Sequence, residues 1–214
     1  SFDSPFAEKS SVHSDDLAQA SPVEAWYVLG LIDAHARPTD RGRIFSQFSR
    51  GEGLAVAVAL EDPTYDMDEL IHDLANLRAG HRFRSWANTE SRLSALCRQA
   101  YGFRDCPGYL RAGLPMEFGE GAVDFIRERS LLTTLKEEEA EDLGAGDVER
   151  LVIEWKCLLD LIAHGPDLGI PRWTELQNKA RKLGSSHSQA EELPQLPELP
   201  MRQRRRFEGP VRRG

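Results

Sequence analysis

The tripeptide Gly51-Glu52-Gly53, set directly before the apolar run Leu54–Leu60, is the first place where residue types and spacing suggest chemistry. A glycine-rich turn opening a helix can present backbone N–H groups to a phosphate. The dinucleotide pattern needs a further Gly or Ala three residues after the second Gly, and Val56 stands there. The Walker pattern needs Gly-Lys-Ser/Thr, which the chain lacks, and Glu52 puts a carboxylate where the anion would sit. The phosphate-loop reading fails on these residues.

Other arrangements with catalytic potential fail in the same way. Asp68-Glu-Leu-Ile-His72 places two residues between Glu and His, where the acidic box of DExH motors has one, and its apolar spacing belongs to an amphipathic helix. His13, His35, His72, His81, His164 and His187 include no i, i+4 pair and no neighbouring cysteine pair, so no metal site is expected. Cys97, Cys106 and Cys157 are odd in number and lack C-x-x-C spacing, which disfavours a disulfide framework. No G-x-S-x-G elbow is present. No catalytic residue is expected in this chain.

Binding chemistry is better represented. Arg37, Arg41, Arg43 and Arg50 flank the turn before the apolar run, and Arg78, His81, Arg82 and Arg84 follow with Phe83 and Trp86 interleaved. Arginines hold a nucleic-acid backbone while bases stack on aromatic rings. Arg43, Arg78, Arg82 and Arg84 are the expected phosphate contacts, with Phe83 or Trp86 as the stacking surface. The competing explanation is that these arginines cap helix C-termini or bridge to carboxylates.

Composition bounds the partner. The net charge is −8, but residues 201–214 hold six Arg against one Glu, net +5, leaving 21 basic and 34 acidic residues, net −13, before them. An acidic body excludes nucleic-acid binding over the whole surface and leaves room only for local patches. The basic tail is equally able to touch phosphate or dock on an acidic partner. The longest apolar run, Leu54–Leu60, is far short of the roughly 20 residues that span a bilayer. No membrane association or signal peptide is expected, and a cytoplasmic or nucleoid-associated location fits.

These residues need a scaffold, and the hydrophobic spacing predicts a mainly α one. Residues 1–20 read as a flexible arm, 21–50 as a small winged-helix-like unit, 51–184 as a helical bundle and 185–214 as a Pro-spaced linker with a basic tail. Pro22 opens a helix that Gly30 ends, and Thr39 caps a second carrying Ile44, Phe45 and Phe48. Leu54–Leu60 is ambiguous by periodicity, and its alanines favour helix. Met67, Leu70, Ile71, Leu74 and Leu77 form a clear stripe, as do the apolar residues that follow Asn88 up to Gly102. Residues 106–115 read as a Pro- and Gly-punctuated connector. Helices are expected over 118–129 and, more weakly, 131–143. Asp147 is the expected cap of the strongest helix, which runs to Gly165, and Pro171 opens the last.

The order of features resembles a known family. Leu29, Gly30, Ile32, Asp33, Thr39, Gly42 and Arg43 are similar to the L-G-x-[IL]-D and T-x-x-G-R pattern that links winged-helix unit to helical bundle in superfamily 2 DExH helicases. The stretch from Gly42 to Leu60 resembles the start of the C-terminal DSHCT, or ratchet, domain of the superkiller type. Gly146, Asp147, Arg150, Leu158, Leu159 and Ile162 resemble its closing helix. The likeness runs from Val23 to His164 and is weakest over Leu110–Leu143. It implies a non-catalytic accessory domain that contacts single-stranded DNA or RNA and packs on the motor lobes. ATP and Mg are implied only for those lobes, which these residues do not contain, and the glycines of Gly51-Glu52-Gly53 are implied to serve close packing. The alternative is an acidic helical module that docks on a partner subunit through residues 185–214.

Overall fold

The computed structural model describes residues 17, 20–80, 83, 90–131 and 145–188. Among them the fold is a mainly α-helical bundle with one two-stranded sheet. The helices are α1 (Pro22–Val28), α2 (Asp40–Phe45), α3 (Glu52–Glu61), α4 (Met67–Asp73), α5 (Arg92–Tyr101), α6 (Ala122–Leu131), α7 (Ala145–His164) and α8 (Pro171–Ser188). A 3₁₀ segment, Leu74–Arg78, continues α4, and β1 (Leu110–Arg111) pairs antiparallel with β2 (Leu114–Pro115).

The ambiguous apolar run is α3, and it forms the hub. Every residue from Glu52 to Leu60 is buried, as befits a helix apolar on all sides. Helices α2 and α5 lie against it, α7 pairs with α8, and the 3₁₀ segment packs on α7. One continuous apolar core reaches from Leu17 and Leu29 to Trp173 and Ala180.

Local chemistry fixes the helix ends. Ser21 and Glu24 form a capping box at α1, Thr39 caps α2 and Asp66 caps α4. Buried polar groups find backbone partners: Trp155 Nε1 donates to Ile71 O at 2.9 Å and Tyr101 Oη to Leu54 O at 3.0 Å. Gln177 Nε2 donates to Ile162 O at 3.1 Å and Gly165 O at 2.7 Å, closing the end of α7 with a side chain from α8.

Several boundaries differ from expectation. Helix α5 is capped by Ser91, whose hydroxyl accepts Ser94 N–H at 3.3 Å, and Asn88 lies outside the described residues. Helix α7 starts at Ala145, so Asp147 sits in its first turn. Helix α8 passes Gly184 and ends at Ser188, because the sequence Ser-Ser-His-Ser contains no helix stop. Residues 189–214 and the weak helix expected over 131–143, beyond Leu131 itself, lie outside the described residues. Leu17, placed in the N-terminal arm, is buried, and its N–H donates to Asp105 O at 3.1 Å.

The connector at 106–115 contains the sheet. Arg111 pairs with Leu114 across the two-residue loop Ala112-Gly113, with φ of 48° and 77°. Two consecutive left-handed residues make a hairpin turn of the primed type. The segment 21–50 has only an isolated bridge, Ile32 to Pro38, between its two helices.

Candidate nucleic-acid interface

The L-G-x-I-D and T-x-x-G-R residues build a corner. Asp33 Oδ1 accepts N–H bonds from His35 at 2.8 Å and Arg37 at 2.9 Å, and the Arg37 N–H holds its carboxyl below the usual range. Thr39 Oγ1 donates to Gly30 O at 2.6 Å and accepts from Gly42 N–H at 3.0 Å. Gly42 lies so near the Leu31 carbonyl that a Cβ there would collide with it. Arg43 donates to Leu168 O and pairs with Asp40 at 3.2 Å. It therefore ties the corner to the loop between α7 and α8, and it lines neither of the clefts described below.

Gly51-Glu52-Gly53 is a packing device. A Cβ on Gly51 would run into Tyr109 O, and one on Gly53 would lie 2.9 Å from the Phe48 ring and 3.0 Å from Phe45 Cα. Glu52 is 3% exposed and accepts from Arg78 Nη2 at 2.7 Å. The carboxylate that argued against a phosphate loop is thus the partner of an expected phosphate contact. Arg78 Nη1 also lies 3.8 Å from Glu154 of α7.

Phe83 corrects the sequence reading. Its ring is 2% exposed and packs edge-on against Phe125, with centroids 5.5 Å apart, so no base can stack on it. Burial beside α6 outweighs the surface role that its arginine neighbours suggested. Arg82, Arg84 and Trp86 lie outside the described residues.

Two adjoining clefts meet at Arg78. One, of about 330 Å³, is lined by Arg78, Gly80, Glu117, Asp147 and Arg150 among others. The second, of about 270 Å³, is lined by Arg50, Glu52, Arg78, Gly108 and Glu117 among others. Arg78 and Glu117 belong to both. Arg50 and Arg150 are exposed, and their guanidiniums form no hydrogen bond or ion pair with the described residues. The fold therefore gathers three guanidiniums from three elements: the loop before α3, the 3₁₀ segment and α7. Sequence spacing separates them too widely to reveal this. The one available signal was that Arg50 closed the first basic cluster and Arg150 belonged to the closing-helix pattern.

Glu52, Glu117 and Asp147 line the same clefts, so the surface alternates in sign. Glu52 is neutralised by Arg78 and Asp147 is engaged. Among the described residues no group of His, Cys, Asp and Glu could hold a metal ion, and no helix is long and apolar enough to cross a membrane.

No protein-family model, curated protein or solved structure matches the chain.

Proposed function

We propose that this chain is a non-catalytic accessory domain of an ATP-dependent DExH-type helicase, contacting a single strand of DNA or RNA and packing on motor lobes that hold ATP and Mg. The observation that carries the reading is the convergence of Arg50, Arg78 and Arg150 on two adjoining clefts. Free guanidiniums at a concave surface are what phosphate contact requires. The likeness of the corner and the closing helix to the superkiller-type bundle supports the same role. Arg50 and Arg150 replace Arg43 and Phe83 as the residues that meet the strand, while Arg78 anchors the cleft wall through Glu52.

Binding of a fluorescent single strand, followed by anisotropy across a salt series, tests this. Arg50→Ala and Arg150→Ala should each weaken binding uniformly across sequences and lower the slope of log affinity against log salt by about one. Arg43→Ala should leave the slope unchanged. A salt-independent response, or full affinity in Arg50→Ala and Arg150→Ala together, overturns the reading.

A second reading, an acidic module docking on a partner subunit, is favoured by Ile153 and Leu161, which α7 leaves 59% and 38% exposed. Deleting residues 185–214 separates the two. Loss of partner capture with strand binding intact selects the second.

A further inference from the structure

The cleft of about 270 Å³ is lined by a free cation and a free anion. Arg50 and Glu117 both line it and both are exposed, yet neither side chain has a partner among the described residues. Arg78, the other guanidinium there, is committed to Glu52 at 2.7 Å. The backbone under Glu117 is fixed: its carbonyl accepts Gly80 N–H at 2.8 Å, and the adjacent Phe118 is buried and donates its N–H to Pro115 O at 3.0 Å. Glu117 also lines the neighbouring cleft, so it is shared by the cleft that Arg50 lines and the one that Arg150 lines.

A ligand complementary to this arrangement has an anion at one end and N–H donors at the other, because a carboxylate only accepts. Guanine is the nucleobase whose pairing edge sets two donors, N1–H and the N2 amino group, next to each other. Adenine and cytosine place an acceptor beside their amino group, and thymine and uracil flank N3–H with two carbonyls. The cleft volume lies near the lower bound of ligand sites, roughly 300 Å³, which suits one nucleotide better than a larger molecule.

We propose that this cleft is a guanine subsite, in which Glu117 accepts from N1–H and the N2 amino group of a strand-borne guanine while Arg50 meets its phosphate. The inference rests on the strand-contact reading and adds a base preference to it.

The test uses the full chain and short thymidine oligonucleotides that differ only in one central base, guanine or hypoxanthine, the latter lacking the N2 amino group. The guanine strand should bind about tenfold tighter, the worth of one hydrogen bond to a charged acceptor. Glu117→Gln should bring it down to the level of the hypoxanthine strand without changing the melting temperature, and Arg50→Ala should weaken both strands equally. Equal affinity of the native chain for the two strands overturns the guanine subsite and leaves the strand-contact reading standing. Absence of binding to every oligonucleotide overturns both. Guanosine monophosphate that binds more tightly than the guanine strand overturns the strand assignment in favour of a free nucleotide.

Discussion

Asp73 is buried beneath Tyr65 and Arg127, whereas Asp62 is half-buried beside Arg92, and the two carboxyls are shifted in opposite directions. Burial raises Asp73 above the usual carboxylate range, despite bonds from Tyr65 Oη at 2.6 Å and Arg127 Nη2 at 2.9 Å. The hydrogen bond from Arg92, aided by Thr64, lowers Asp62 to about 2. A raised folded pKa means that the native state binds the proton more tightly, so Asp73 favours folding at low pH. That advantage is lost as pH rises from the ordinary carboxylate value through the folded one. Asp62 does the reverse: its contribution is complete above the ordinary value and disappears as pH falls toward 2. Stability against pH, measured by urea unfolding, should therefore fall relative to Asp73→Asn as pH rises above about 4. The same comparison with Asp62→Asn should show the native chain gaining as pH rises between about 2 and 4. Parallel curves for the native chain and Asp73→Asn would mean that Asp73 is ionised in the fold as readily as in water.

At the scale of elements, the hairpin turn stores strain that one substitution can remove. Ala112 sits at φ 48° on an exposed loop, a region that costs an ordinary L-residue roughly 1–2 kcal/mol. Ala112→Gly should stabilise the chain by about 0.5–1 kcal/mol after the entropy lost by glycine is subtracted. The Ala112 N–H bond to Asp105 Oδ1, 2.7 Å long, is a backbone bond that glycine keeps, so a lower melting temperature in the variant would show that the entropy lost by glycine outweighs the strain it relieves. This turn also marks the limit of what could be read from the sequence. Long stripes were legible, either from cap and periodicity together, as for Thr39 with Ile44 and Phe48, or from periodicity alone, as for Leu70 and Leu74. Ala112-Gly113 was not, because alanine hides a left-handed position and the flanking strands are two residues each. The change from α to 3₁₀ at Leu74 was also hidden, since the apolar stripe continues unbroken through it. Of the candidate interface, the arginines were legible as residue types. Their convergence was not, because it depends on how α3, the 3₁₀ segment and α7 meet. Phe83 was hidden for a similar reason, since it is α6 that receives its ring, against Phe125.

For the whole molecule, the Arg78–Glu52 pair couples the interface to the fold. Glu52 opens α3, the hub against which α2, α5 and the 3₁₀ segment pack, and it is nearly inaccessible to water. Arg78 supplies its counter-charge and spans toward Glu154 of α7, so the cleft wall and the core share one ion pair. Removing one partner of a buried pair leaves a charge without compensation, which costs about 3–5 kcal/mol. Set against a typical domain stability of about 5–15 kcal/mol, that is about a fifth or more of the total. Arg78→Ala should therefore lower the denaturant midpoint sharply and weaken strand binding through loss of folded protein. Arg43→Ala, which loses a part-buried bond to Leu168 O and an exposed pair with Asp40, should cost about 1 kcal/mol. The double variant Glu52→Gln with Arg78→Ala should recover much of the lost stability, because the buried carboxylate is gone. Its recovered fold should still bind a strand more weakly than the native chain if Arg78 adds its own field to the cleft. Recovery of stability and affinity together would confine Arg78 to anchoring Glu52 and leave Arg50 and Arg150 as the groups that meet phosphate.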